Sequence, residues 1–151
     1  MSGGPQPYRS KTLATWIALF GGSVGLHRFY LFGLRDRWGW MYLWPTLLGL
    51  LGVQRMRQFG VDDHAAWVLI PMLGVMLSIA MGTAIVYGLT PDDEWNARFN
   101  PDGPQHRMNW GTVIGVIVAL VLGASVLLAT IAFSAQRYFE YQVETARHGS
   151  S

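Results

Sequence analysis

Residues 21–33 read GGSVGLHRFYLFG, an apolar, glycine-rich run interrupted by His27 and Arg28 and resumed by aromatic and aliphatic side chains. An arginine at the centre of a bilayer costs roughly 2.5 to 3.5 kcal/mol on insertion scales, so Arg28 needs a place at the membrane edge or a partner. Either it snorkels to the headgroups with Tyr30 anchoring beside it, or His27, Arg28, Phe29 and Tyr30 form a structural or recognition site. The glycines around them carry their own signal. Gly21, Gly22 and Gly25 each lower helix propensity by about 1 kcal/mol in water and predict a break near residues 21–25, and Gly33 closes the stretch.

Upstream, the uncharged residues from Thr12 to Leu26 are too few to cross the hydrocarbon as a straight helix, which needs about 20. The first span must therefore borrow from Phe29 to Leu34. Ala14, Ala18 and Gly22 recur every four residues and leave one face nearly bare, suited to packing against another helix. Residues 1–11, MSGGPQPYRSK, read as a disordered tail; no small-residue cleavage site comes after it, so the first span is expected to be retained.

Downstream, Trp38, Trp40, Tyr42 and Trp44 cluster at the start of an uncharged segment reaching Gln54, as in an interfacial belt, with Pro45 kinking the helix just beyond them. That segment fits a second span or a re-entrant helix. Asp62, Asp63 and His64 read as a helix cap before the apolar run Ala65 to Leu89 rather than as metal ligands. Residues 90–108, TPDDEWNARFNPDGPQHRM, form a hydrophilic loop that Pro91, Pro101 and Pro104 prevent from being one helix. Trp95 and Phe99, four apart within it, predict a short amphipathic helix at the interface. A last uncharged run covers Trp110 to Ala135, and residues 136–147 continue it as a helical extension before a frayed tail. Gly74, Ser78 and Gly82 are expected to pack against Gly111, Gly115 and Ala119.

The fold class is thus all-α, a polytopic helical membrane protein with about four transmembrane helices. The expected organisation is a tail at 1–11, a helical hairpin at 12–54, two further spans within 55–135 and a terminal extension at 136–151. Hydrophobic residues make up 51% of the chain and charged ones 13%, too apolar a balance for an ordinary soluble domain of 151 residues. The basic residues stand singly at segment ends and form no phosphate-binding run, which argues against nucleic acid.

Residues 11 to about 54, with their Gly-Gly pair, Gly25 and the HRFY run, resemble the two-transmembrane-helix (TM-two) domain family of small membrane proteins. Phe32 intervenes before the glycine that many members place directly after Tyr-Leu, and two long apolar segments lie beyond the point where the shortest members stop. The resemblance implies a small polytopic membrane protein with HRFY as its signature.

There is no cysteine, which excludes disulfides and thiolate chemistry. Histidines 27, 64, 106 and 148 fall in four separate polar regions without HExxH spacing, and neither GxxxxGK[ST] nor GxSxG occurs. No catalytic, cofactor or metal site is expected. Three functions compete: a non-enzymatic protein acting through helix–helix association, as a homo-oligomer or with a membrane-protein partner; an anionic lipid headgroup site using His27, Arg28 and Arg35 or Arg37; and a membrane enzyme using Asp92, Asp93 or Glu94.

Four spans would put both termini on one side. Arg9, Lys11, Arg55, Arg57, Arg137 and Arg147 then outnumber the basic residues opposite, predicting cytoplasmic termini in the cytoplasmic (plasma) membrane and an external loop 90–108. In that arrangement Arg28 can reach Asp36, Asp92, Asp93, Glu94 or Asp102. A pairing with one of the loop acids, Asp92, Asp93, Glu94 or Asp102, would tether the loop over HRFY through a bidentate fork.

Overall fold

The computed structural model describes residues 7–149, all helix and connecting turns. The ends of the expected tails, residues 1–6 and 150–151, lie outside them. Six α-helices come in order: α1 Lys11–Gly21, α2 Leu26–Phe32, α3 Arg37–Phe59, α4 His64–Leu89, α5 Asp92–Phe99 and α6 Trp110–Gly149. Two of them, α4 and α6, are long and apolar enough to cross a membrane.

Helix α1 starts at Ser10, whose side chain accepts the Leu13 N–H at 3.3 Å, and ends where the glycines predict. Gly22–Val24 form a 3₁₀ turn, and Gly25 has φ +81°, a left-handed conformation that favours glycine. Space makes the same demand there, since a Cβ on Gly25 would overlap the carbonyl oxygen of Gly39. The chain then doubles back. The Tyr30 hydroxyl accepts the Ser10 N–H at 3.0 Å, and Leu31 packs with Ala14 and Trp95.

This reversal corrects the expected first span, because α1 and α2 form a half-length hairpin. Gly22 at its tip lies against Ala80, about 15 Å along α4 from Thr90. A break at that depth is tolerable when its polar groups are satisfied within the protein. The Ser23 carbonyl accepts the Thr46 hydroxyl at 2.5 Å, and the Gly22 carbonyl accepts the Gly25 N–H at 3.0 Å.

Helices α3, α4 and α6 run the length of the bundle. Residues 38–54 lie within α3, a single 23-residue helix that carries Pro45 in its interior. It packs on α4 through Gly49 against Leu73 and Gly52 against Leu69. Helix α6 lies antiparallel to α4, from Val116 beside Gly88 to Thr130 beside Gly74, with the Arg137 guanidinium over the Trp67 ring. Its extension stays helical to Gly149. The core is built of small side chains, Ala14, Ala18, Ala84 and Ala119, with Leu19 and Met81, which lets the backbones approach closely.

The small-residue faces do not meet as expected. Gly111 and Gly115 face α1, lying against Thr12 and against Thr15 and Trp16, while nothing lies within 4 Å of the Cβ position of Gly82. Gly74 meets Thr130, and Ala119 does join the core beside Met81 and Ala84. Three helices converge here, so α1 takes the start of the α6 stripe and α4 the rest.

The described ends of the chain also separate. Lys11 donates to the Thr90 carbonyl at 3.0 Å, just beyond the end of α4, whereas His64 at its start faces Glu144 at 3.6 Å. With α1 and α2 returning to the same end, the N-terminal segment and loop 90–109 share one end of the bundle and the C-terminal segment occupies the other. The described ends of the chain thus lie at opposite ends of the bundle, where the four-span reading would bring them to the same one.

Candidate functional site

The four HRFY side chains dock on different parts of the molecule. His27 is 1% exposed, its ring edge-on to Tyr42 at 5.4 Å and Tyr87 at 5.9 Å, with Nδ1 unpartnered. Arg28 donates from Nε to Asp36 at 2.5 Å and from Nη2 at 3.3 Å, and lies over the Phe32 ring. Phe29 fills the space that Gly39 leaves and touches Trp40 at 5.3 Å between ring centroids. Tyr30 supports the N-terminal segment, with Arg9 over its ring at 5.2 Å. Gly21 and Gly22 admit Leu26 and Ala80, while Gly33, at φ +84°, ends α2 in open space.

Of the five carboxylates considered for Arg28, Asp36 is the one it pairs with. It lies eight residues along the chain, a short loop to close. The Arg28 hydrogen bonds hold the Asp36 carboxyl below its usual range. The loop tether through Asp92, Asp93, Glu94 or Asp102 is therefore corrected. Asp92 belongs to Lys11, Glu94 lines a cavity that Arg28 also lines, and Asp93 and Asp102 make no ion pair among the described residues.

The loop is held instead by the N-terminal segment. Lys11 is wholly buried and its ammonium bonds Asp92 as well as Thr90 O, while Asp92 also accepts the Met108 N–H at 2.5 Å. Burial pushes the Asp92 carboxyl up, and the Lys11 and Met108 hydrogen bonds outweigh it, leaving a net downward shift. Two asparagine side chains act as backbone clamps. Asn96 accepts the His106 N–H at 2.7 Å and donates to the His106 carbonyl at 2.8 Å; Asn100 does the same for Arg9 at 2.8 and 3.1 Å. Trp95 donates its indole N–H to the Arg9 carbonyl at 2.9 Å. The buried His106 shares a hydrogen bond of 2.9 Å with the Tyr8 hydroxyl. Its pKa is lowered by burial first and Lys11 second, against an opposing effect of Asp92. Residues 8–11 are thus anchored, where a disordered tail was expected.

Helix α5 forms where its aromatics predict it, but Trp95 faces protein and not the membrane interface. It is 1% exposed, packed with Ala14, Leu31, Tyr87 and Phe99. Asp92, Asn96 and Asn100 recur every four residues, the one sequence signal that would have shown a second, polar face turned inward.

Two adjoining cavities open at this capped end. One, of about 390 Å³, has Arg9 and Arg98 on its walls with Leu31, Phe32 and Phe99, and no carboxylate among the described residues lines it. The other, of about 180 Å³, shares Phe32, Arg98 and Phe99 and adds Arg28, Tyr87, Glu94 and Trp95. Neither Arg9 nor Arg98 has a carboxylate partner among the described residues. Their place in one cavity went unread because they lie 89 positions apart in the chain. Arg35 and Arg37, expected beside Arg28, are exposed and line neither cavity. Comparison of the chain with family models, curated proteins and solved structures finds no match.

Proposed function

We propose that this is a non-enzymatic integral membrane protein of the TM-two type whose capped end binds the phosphate of a membrane phospholipid between Arg9 and Arg98. The observation that carries the reading is a cavity that no described carboxylate lines, with two guanidinium groups that lack a carboxylate partner among the described residues over a floor of Leu31, Phe32 and Phe99. Guanidinium forks match phosphate oxygens in a way a lysine ammonium does not. An apolar floor suits the glycerol and first methylenes of a lipid. Helix association is the weaker reading, since Gly74, Gly115 and Ala119 are already covered from within the chain. Catalysis by the acidic stretch 92–94 is weaker still, as Asp92 is committed to Lys11 and Met108.

In this reading α3, α4 and α6 cross the bilayer and the α1–α2 hairpin enters it halfway. Arg9, Lys11, Arg28, Arg35, Arg37, Arg98 and Arg107 then lie at the capped end, against Arg55, Arg57, Arg137 and Arg147 opposite. The bias puts the cap in the cytoplasm and the C-terminal end of α6 outside, the reverse of the four-span assignment for loop 90–108.

Titration of the purified protein with dioctanoyl phosphatidylglycerol, read by native mass spectrometry, tests the site. Arg98→Gln and Arg9→Gln should each weaken binding about fivefold, the scale of one juxtamembrane charge. Unchanged binding in both variants refutes it. Since native cysteine is absent, Gln58→Cys should react with an impermeant maleimide on intact cells and Gly103→Cys should not; the opposite pattern overturns the orientation.

A further inference from the structure

The two adjoining cavities differ in charge. The larger holds Arg9 and Arg98 and no acid among the described residues, so it suits a phosphate. The smaller is lined by Arg28, whose charge is met by Asp36 at 2.5 Å, by Arg98, which it shares with the larger, and by Glu94, its one carboxylate among the described residues. Glu94 has no ion-pair partner among the described residues, and Arg98, one helical turn along α5, lies beyond ion-pair distance of it. Phe32, Tyr87, Trp95 and Phe99 also line it, with the Arg28 guanidinium over the Phe32 ring and that of Arg98 over the Phe99 ring, so Glu94 is the group there that attracts a further cation. Arg98 and the Phe32–Phe99 pair, 6.1 Å between centroids, stand where the chambers adjoin.

Resting on the phosphate reading above, we infer that the bound lipid carries an aminoethyl phosphate headgroup, with its phosphate between Arg9 and Arg98 and its ammonium in the smaller chamber beside Glu94. An ammonium two carbons from the phosphate oxygen is matched by a site whose positive and negative parts adjoin. A glycerol headgroup offers Glu94 no charge. A serine headgroup adds a carboxylate that Glu94 repels, and a choline has no N–H to donate to it. Glu94 therefore selects among lipids whose phosphate the arginines hold alike, by discriminating against the wrong headgroups as well as attracting the right one.

The test titrates the full-length protein in detergent with dioctanoyl phosphatidylethanolamine and dioctanoyl phosphatidylglycerol, which share their tails, and compares the two dissociation constants. Bulk electrostatics favours the anionic glycerol lipid at an arginine-rich surface, so a preference for ethanolamine has to come from the site. Wild type should prefer ethanolamine about threefold to fivefold, the range open to a solvent-accessible ion pair. Glu94→Gln, on an exposed position of α5, should abolish the preference. Equal affinities in wild type, or a preference that survives Glu94→Gln, overturns the inference. If binding is unselective yet weakened by Arg98→Gln, the phosphate site stands and only the headgroup assignment falls. If Arg9→Gln and Arg98→Gln leave binding unaltered, both fall together.

Discussion

At the capped end, Lys11, Trp95, Asn96, Asn100 and His106 are buried, and their hydrogen bonds join residues 8–11 to a loop some 80 to 100 positions later. At the opposite end, Arg55 meets Asp63 eight residues away at 2.8 Å with its side chain 44% exposed, and His64 meets Glu144 at 3.6 Å with both more than half exposed. Both ends carry ion pairs, yet the wholly buried Lys11 makes the cap pair the costlier to break. A polar group withdrawn from water must keep its partner, whereas an exposed pair exchanges it for solvent. A surface that must hold a ligand in one geometry is better built on the former.

Substitutions can break this contrast, and the largest effect is expected at the hairpin tip. Gly25→Ala combines a left-handed φ with overlap onto the Gly39 carbonyl and should cost about 3 kcal/mol or more of stability in detergent. Gly60→Ala at the far end has φ +89° but open space, and should cost about 1 kcal/mol. Equal losses in thermal melts would mean that the tip is not wedged against α3.

Asp92→Ala comes next. It leaves the buried Lys11 ammonium with the Thr90 carbonyl alone and should destabilise by about 3 kcal/mol, the lower end of the range because Asp92 is partly exposed. Asp63→Ala removes the half-exposed Arg55 pair and the acidic group at the start of α4, and should cost less, about 1 kcal/mol. Limited proteolysis within residues 100–108 should accelerate in the first variant and not in the second.

Acid gives the smallest and most selective effect. The folded His106 takes up a proton less readily than its ordinary value of 6.5 allows, so its contribution is complete above that pH and declines below it. Asp92, lowered from 3.8, adds a second loss only as pH falls past that value, and Asp63 behaves alike at the far end. Between pH 7.5 and 5, hydrogen exchange should therefore quicken in α5 and leave the Arg55–Asp63 turn unchanged. Equal quickening at both ends would show that His106 does not report on the cap.

Much of the local structure was legible in residue order. The glycines at 21, 22 and 25 foretold the break, the uncharged runs foretold α4 and α6, and Trp95 with Phe99 foretold α5. Each rests on contacts within a few positions, where propensity and periodicity act directly. The site was less legible. HRFY drew attention as a unit, yet its four side chains serve four separate contacts, and the cavity arginines Arg9 and Arg98 stand outside it.

The sequence by itself determined an all-helical, strongly apolar chain with its breaks, its charged segment ends and its lack of cysteine, because these arise from composition and short-range pattern. Tertiary structure alone decided that the first segment turns back rather than crossing. A helix break carries no instruction about direction; the reversal depends on Gly39 accommodating Phe29 and on Thr46 satisfying Ser23. The same reversal returned HRFY to the end of the bundle where Lys11 meets Asp92, and so placed Arg9 opposite Arg98. Partners that distant in the chain meet only after the loop entropy between them is offset by packing, and that balance belongs to the whole fold.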